Sequence, residues 1–106
     1  SVEGETVPIT SVDRPCLVMA EVKADGELEL GVADPDLNLD EDGVNQPQAL
    51  RVSLRGAWDL VEAKGSVCAW GLPGAGEDVR VVSSGEEETI IEILCRHGAS
   101  YDLSLR

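Results

Sequence analysis

The chain has 106 residues, of which 21 are acidic and eight are basic, so its formal net charge at pH 7 is −13. Such a chain repels nucleic-acid phosphates, anionic lipid and sulfated sugar at long range, which argues against a nucleic-acid or membrane partner. Its length suits one domain with a single two-layer core. The sequence contains no apolar run long enough to cross a membrane and no apolar leader, and it begins at Ser1. We therefore expect an excised domain or a processed product.

The first half of the chain predicts a hairpin after a polar lead-in. Residues 1–14 have the composition of a lead-in or linker, in which we expect at most one short edge strand. The apolar run Cys16–Val22 predicts a strand, and Asp25-Gly26 is a strong hairpin signal. Charged and aliphatic residues then alternate over Glu27–Val32, which predicts a strand with one face on a core.

Six further strands are predicted after a long polar loop that ends near Gln48. They are Leu50–Arg55, Trp58–Val61 (ending at Lys64-Gly65), Ser66–Trp70, Val79–Val82, Thr89–Cys95 and Tyr101–Leu105. The stretch Thr89–Cys95 is the most apolar, so we expect a central strand covered on both faces. About eight short strands, with turn residues between them and no helical periodicity, predict an all-β fold and a two-layer antiparallel β-sandwich.

Trp58, Trp70 and Tyr101 are the aromatic residues of the chain. Exposed aromatic rings stack on sugar rings in carbohydrate-binding modules, so these three are candidate carbohydrate-binding residues. The alternative is that they fill the core, since the chain has no phenylalanine and few other large side chains.

The long polar loop carries oxygen ligands at alternate positions. These candidate calcium ligands are Asp34, Asp36, Asn38, Asp40 and Asp42. The segment from Asn38 to Gly43 resembles the start of an EF-hand loop, but Ala49 stands where that loop needs a bidentate glutamate, and Pro47 is incompatible with the exiting helix. A looser calcium site remains one interpretation, and an exposed acidic loop without metal is the other.

Cysteine and histidine spacing gives little support for a metal or catalytic site. The three cysteines, Cys16, Cys68 and Cys95, form no C-x-x-C pair, and we interpret them as small core residues, with one disulfide as the alternative. His97 shares a strand face with Cys95, but a structural zinc would need two more ligands. No G-x-S-x-G motif is present, and no carboxylate lies in an apolar setting, so we assign no catalytic residue.

Three segments together resemble the C-terminal domain of chondroitin and hyaluronan lyases, and most closely the chondroitin sulfate ABC lyase type. The stretch 32–39 (VADPDLNL) resembles that family's step from a strand to D/N-P-D/T, and 51–58 (RVSLRGAW) resembles its V-x-L-x-G-x-W step. The stretch 95–105 (CRHGASYDLSL) resembles its closing C-x-x-G-x-S strand pair. The resemblance runs from Cys16 to Arg106, and the order and spacing of the three segments carry it.

The resemblance implies a domain, residues 15–106, at the end of a large periplasmic or secreted enzyme that degrades uronic-acid polysaccharide by β-elimination. An α/α toroid and a central β-sandwich would precede it and be its partners, together with the polysaccharide substrate. The catalytic residues of such enzymes lie mainly in the helical domain, so none is transferred to Arg96, His97 or Tyr101. The implied role is structural, packing on the central domain and helping to shape the cleft. The alternatives are a carbohydrate-binding module and an interaction β-sandwich of a surface protein.

Overall fold

The computed structural model describes residues 8–35 and 38–106, and over these ranges the chain folds into nine β-strands and one short 3-10 helix, η1. The elements are β1 (Ile9–Val12), β2 (Leu17–Val22), β3 (Leu28–Ala33), β4 (Gln48–Arg55), β5 (Leu60–Val67), β6 (Trp70–Gly71), η1 (Ala75–Asp78), β7 (Val79–Ser84), β8 (Glu88–Cys95) and β9 (Ala99–Leu105). The predicted all-β class is confirmed. Within these ranges, no helix is both long and apolar enough to span a bilayer.

The strands form two antiparallel sheets, which confirms the predicted sandwich. One sheet has four strands in the order β1-β4-β8-β7, and the other has five in the order β2-β3-β9-β5-β6. The longest ladder joins β4 to β8 without a break, from Gln48 opposite Cys95 to Arg55 opposite Glu88. β1 lies within residues 1–14 and is the short edge strand expected there, pairing with β4.

The core lies between the two sheets and is built from the inward positions of each strand. Alternation along a strand places every second side chain on one face, so aliphatic residues two apart are buried together. The fully buried side chains include Leu28, Leu30, Leu50, Val52, Leu54, Ile91, Ile93, Tyr101, Leu103 and Leu105. Burying each of these aliphatic side chains contributes roughly 1.5–3 kcal/mol before entropy is subtracted, so the core dominates the stability of the domain.

One strand prediction is wrong at Lys64-Gly65, which lies inside β5 instead of ending it. β5 begins at Leu60 and pairs with β9 as far as Val67, so it runs from the first predicted strand into the second, which turns at Cys68 and Ala69 before Trp70 begins β6. Gly65 is needed for close packing, because a Cβ atom built there would lie 2.8 Å from the Cβ of Ala75 in η1. From the sequence alone, a glycine that allows another element to pack closely cannot be distinguished from a glycine that ends a strand.

The expectation that β8 is covered on both faces is also wrong. Its inward residues Ile91, Ile93 and Cys95 are buried, but Leu94 on the outward face is 42% exposed. Glu92 lies between the outward apolar residues and accepts hydrogen bonds from the guanidinium groups of Arg51 and Arg80 on the strands to either side. These bonds, that of Arg80 most of all, lower the pKa of Glu92. The outward face of β8 is therefore a cross-strand ion network next to exposed aliphatic surface.

The hairpin predicted at Asp25-Gly26 is present between β2 and β3. Gly26 has a φ of +87°, a conformation that glycine adopts without a steric cost. The Lys23 N–H donates to the Glu27 carbonyl oxygen at 2.8 Å, which closes the turn.

The turn between β5 and β6 is strained, and relieving the strain should stabilise the domain. Cys68 and Ala69 both have positive φ, 49° and 69°, a combination typical of a type I′ hairpin, in which side chains are disfavoured. Replacing Ala69 by Gly should raise the free energy of unfolding by about 0.5–1 kcal/mol, because the relief exceeds the extra chain entropy. Ala63→Gly, inside β5, is the control and should lower it. Urea denaturation of both variants measures the difference, and a loss of stability in both would contradict the argument.

Candidate functional site

The two tryptophans are placed differently. Trp58 packs partly buried against the core, and its Nε1–H donates to the carbonyl oxygen of Arg55 at 2.8 Å. Its backbone N–H donates to the Thr89 hydroxyl at 3.0 Å, which secures the crossing from β4 to β5. Trp70 lies on the short edge strand β6 and is 79% exposed. Of the two, Trp70 therefore has a ring free to stack on a ligand.

Tyr101, the third aromatic candidate, is fully buried at one end of the sandwich. Its hydroxyl lies 3.0 Å from Asp78 Oδ2 and 3.1 Å from the carbonyl oxygen of Leu94, and it accepts the N–H of Arg96 at 3.1 Å. Burial, above all, raises the pKa of this hydroxyl. A ring in this position offers no face to a sugar, and its role in the described part of the chain is to join β8, β9 and η1.

Arg96 belongs to the same internal network as Tyr101. Its guanidinium donates to Asp78 Oδ2 through Nε at 2.8 Å and contacts the same oxygen through Nη2 at 2.7 Å. Nη2 also donates to the Pro73 carbonyl oxygen at 2.9 Å. The hydrogen bond to Asp78 is the largest cause that raises the pKa of Arg96. Arg96 and Tyr101 thus both contact Asp78 of η1.

The acidic loop is organised around Asp40 by its own backbone. Asp40 Oδ1 accepts the N–H groups of Asp42 and Val44, each at 2.9 Å, and Oδ2 accepts the side-chain amide of Gln46 at 3.0 Å. An aspartate that accepts backbone N–H groups two and four residues ahead is typical of a turn that closes on itself. Both carboxylate oxygens of Asp40 are thus used within the loop.

Two of the other proposed calcium ligands, Asp34 and Asn38, bond to partners outside the turn around Asp40. Asp34 is buried and pairs with Arg14, whereas Asn38 Nδ2 donates to the carbonyl oxygen of Pro47 at 3.3 Å. Asp36 lies outside the described residues. Over residues 8–35 and 38–106, no group of three or more histidine, cysteine, aspartate or glutamate side chains is placed to hold a metal ion. Calcium binding by the loop stays a prediction.

The cysteines occupy three different environments, and one expectation about them is wrong. Cys95 is buried and Cys16 is half-buried, but Cys68 is exposed in the β5–β6 turn, so it is not a core residue. All three thiols are free. Burial, above all, raises the pKa of Cys16 and raises that of Cys95 to about 11. His97 is exposed in the turn between β8 and β9.

These environments predict a fixed order of thiol modification. At pH 8 a disulfide reagent should modify Cys68 first and Cys16 more slowly, because the thiolate is the nucleophile and burial suppresses it. Cys95 should react only when the domain unfolds. Mass spectrometry of peptides after timed labelling gives the three rates, and Cys68→Ser should remove the fast phase alone. Labelling of Cys95 as fast as Cys68 in the folded domain would contradict the placement of Cys95 in the core.

A groove crosses the outer face of the five-stranded sheet, and it was not predicted from the sequence. Its lining includes Met19, Glu21, Glu29, Gly31, Glu62, Lys64, Asp102 and Ser104. Gly31 forms the floor, because a Cβ atom built there would lie 3.5 Å from Asp102 Oδ1 and 3.8 Å from the Cβ of Met19. Met19, 79% exposed on β2, forms one rim. The sequence feature that could have predicted the groove is the glycine at an outward position of β3, Gly31.

The groove is acidic, which limits what it can bind. Glu29 pairs with Lys23 at 2.9 Å and Glu62 pairs with Lys64 at 3.3 Å. The hydrogen bond to Glu29 is the largest cause that raises the pKa of Lys23. Two further carboxylates, Glu21 and Asp102, add negative charge to the same face. Such a surface repels sulfated or carboxylated polysaccharide and attracts basic groups.

The fold and its surfaces define an acidic antiparallel β-sandwich with an outer face that is partly apolar. No protein-family model matches the chain. It is similar to a chondroitin sulfate ABC exolyase from Bacteroides thetaiotaomicron, with 28% identity over 117 aligned positions that include 88% of this chain. The same alignment covers 10% of that lyase, so the chain spans about a tenth of the relative's length. This similarity supports a partial relationship to that lyase.

Proposed function

We propose that the chain is a non-catalytic structural domain of a glycosaminoglycan lyase. The similarity to a chondroitin sulfate ABC exolyase supports the lyase context, and the share of that enzyme which the chain spans is the size of one domain. The observation that carries the non-catalytic role is the complete burial of Tyr101. The Tyr101 hydroxyl is enclosed by Asp78, Leu94 and Arg96, so it has no access to a substrate.

The proposed role is to pack on a neighbouring domain and shape an edge of the substrate cleft. Leu17 and Met19 are large, apolar and exposed on the outer side of β2, and Leu94 is exposed on the opposite sheet. Exposed apolar side chains of this kind are typical of contacts between domains. The negative charge of the domain fits a position outside the binding path of a polyanionic substrate.

A carbohydrate-binding module is the second candidate, and the exposure of Trp70 favours it. An indole that is 79% exposed at a strained hairpin can stack on a sugar ring. The three proposed aromatic ligands are not brought together, since Tyr101 is buried and Trp58 packs on the core. This alternative therefore depends on Trp70 alone.

Calorimetric titration of the 106-residue chain with chondroitin sulfate and hyaluronan oligosaccharides separates the two candidates. At low salt, with and without calcium, we expect no saturable binding. Saturable binding that Trp70→Ala abolishes would establish a carbohydrate-binding module instead. Val61→Ala is the matched control, because Val61 is also exposed and apolar but has no ring. Binding that appears only with calcium and is lost in Asp40→Asn would assign a ligand role to the acidic loop.

The catalytic part of the proposal has its own test. Incubation of the chain with chondroitin sulfate should release no unsaturated uronate, the product of β-elimination, whereas the full-length polypeptide that contains the chain should release it. Product formation by the chain alone would overturn the non-catalytic role. A full-length polypeptide that does not cleave any glycosaminoglycan would overturn the lyase assignment.

A further inference from the structure

We propose that the free edge of β2 binds an extended segment with alternating apolar and basic side chains, which adds to the five-stranded sheet as a sixth strand. Three features of the described residues carry this inference: the direction of the β2 backbone groups, the lack of edge protection, and an apolar cleft beside the strand. The inference concerns a different surface from Trp70 and does not depend on the lyase assignment.

The register of the β2–β3 hairpin shows which backbone groups of β2 point away from the sheet. The pairing is continuous, and Lys23 donates to Glu27 across the turn, so Lys23 and Glu27 form a hydrogen-bonded pair. Hydrogen-bonded and non-bonded pairs alternate in an antiparallel ladder. Met19 and Glu21 therefore bond to β3, whereas the N–H and C=O groups of Val18, Ala20 and Val22 face the free edge. β2 is the terminal strand of the sheet.

β2 lacks the protection that the other edge strands have. β1 and β7 each have an irregular register, between Ile9 and Ser11 and between Val81 and Ser83, and β6 has two residues. In contrast, β2 pairs regularly over six residues and contains no proline, lysine or arginine. A long, regular and apolar edge strand is a template for another strand. Among the four edge strands formed by residues 8–35 and 38–106, β2 alone is therefore suited to strand addition.

The cleft beside β2 would accept the inward side chains of an added strand. It lies at the open side of the sandwich, between the edge strands of the two sheets, and it is lined by Ile9, Thr10, Ser11, Val12, Cys16, Val18 and Ala20. The aliphatic members of this set pack only partly against the core. A strand that bonds to β2 would place alternate apolar side chains into the cleft and so complete the burial of the aliphatic residues that line it. Its backbone would form hydrogen bonds with the free N–H and C=O groups of β2.

The charge of the surface selects a basic partner. The outward side chains of an added strand would lie beside Glu21 and the acidic groove, so lysine or arginine at these alternate positions is favoured. A second copy of the chain is disfavoured as the occupant, since each copy has a net charge of −13 and would place a second Glu21 near the first.

Amide hydrogen exchange with a capped heptapeptide of alternating valine and lysine tests the proposal. Binding should slow exchange at Val18, Ala20 and Val22 by about tenfold or more at saturation, because these N–H groups gain hydrogen bonds, while exchange at Met19 and Glu21 changes less. A peptide of alternating valine and glutamate should not bind, and a peptide with the lysines and valines in two blocks should bind more weakly. Binding without protection of Val18, Ala20 and Val22 would overturn the proposal.

Ala20→Pro is the variant that isolates the edge. Proline removes an N–H that faces the solvent and leaves the β2–β3 bonds intact, so the domain should fold but bind the peptide at least about tenfold more weakly. Met19→Pro, one residue earlier on the same strand, removes an N–H that bonds to β3 and should instead disrupt folding. If Ala20→Pro does not fold, the hydrogen-exchange experiment on the unaltered chain still tests whether the peptide binds at the β2 edge. Sedimentation that shows a dimer of the chain through β2 would overturn the choice of a basic occupant.

Discussion

Replacing Arg14 by Met should lower the free energy of unfolding by about 3–5 kcal/mol, because it removes the cation that pairs with a buried carboxylate. Asp34 has a side chain that is 4% exposed, and its Oδ2 pairs with Arg14 Nη2. Arg14 also donates through Nε to the Ala49 carbonyl oxygen at 3.2 Å and through Nη1 to Gln48 Oε1 at 2.8 Å. The substitution therefore removes bonds that join the loop before β2 to the start of β4. Urea denaturation monitored by tryptophan fluorescence measures the loss.

A surface ion pair of the same type provides the control. Arg106 contacts Glu27 at 3.2 Å, but its side chain is 66% exposed, so Arg106→Met should cost less than about 1 kcal/mol. Arg14→Lys keeps the charge and loses the forked geometry, and it should fall between the two. Equal losses for Arg14→Met and Arg106→Met would show that burial of Asp34 does not determine the energy of the pair.

The strands of the core were predictable because a strand buried on one face has apolar residues at every second position of its sequence. Leu28, Leu30 and Val32 alternate with outward residues, and all three are buried as that alternation requires. The same holds for Leu50 and Leu54 on β4. A period of two residues is a local property, so it can be recognised without knowledge of which strands are neighbours.

The positions where prediction failed are those that depend on a distant neighbour. The apolar residues on the outward side of β8 suggested a second covering layer, but Leu94 is exposed in the described structure. Gly65 was interpreted as a strand end because Ala75, which packs against it, belongs to a different element. A local sequence pattern does not show which element packs against a residue. A glycine within a strand can therefore be a strand end or a packing site, and an outward apolar residue can be covered or exposed.

The candidate sites were less predictable than the fold, for the same reason. The groove floored by Gly31 exists because β2 and β9 flank β3, an order that alternation does not determine. Of the aromatic candidates Tyr101 and Trp70, one is buried and the other is exposed, and only the burial of Tyr101 has a local signal in the sequence. Tyr101 follows the inward phase of β9, whereas Trp70 lies in a two-residue edge strand with no core opposite it.

Tyr101→Phe should lower the free energy of unfolding by about 2 kcal/mol, because a buried hydrogen-bonding group is removed and its partners remain buried. The hydroxyl contacts Asp78, Arg96 and the carbonyl oxygen of Leu94. The ring itself is preserved, so the loss reports on the hydroxyl and not on a cavity. Ser100→Ala is the matched control, since Ser100 precedes Tyr101 on β9 and its hydroxyl is exposed, and it should change stability by less than about 0.5 kcal/mol.

The pH dependence of this loss distinguishes a buried hydroxyl from a simple packing effect. The pKa of Tyr101 is raised above its ordinary value of 10.0, so folding favours the protonated form. The stabilisation is fully present below pH 10 and is lost as the pH rises through the raised pKa of the folded state. The wild type should therefore lose its advantage over Tyr101→Phe above pH 10, while Cys95 contributes the same alkaline decline to both proteins. A difference that stays constant from pH 7 to about pH 11 would show that the Tyr101 hydroxyl is not held protonated by the fold.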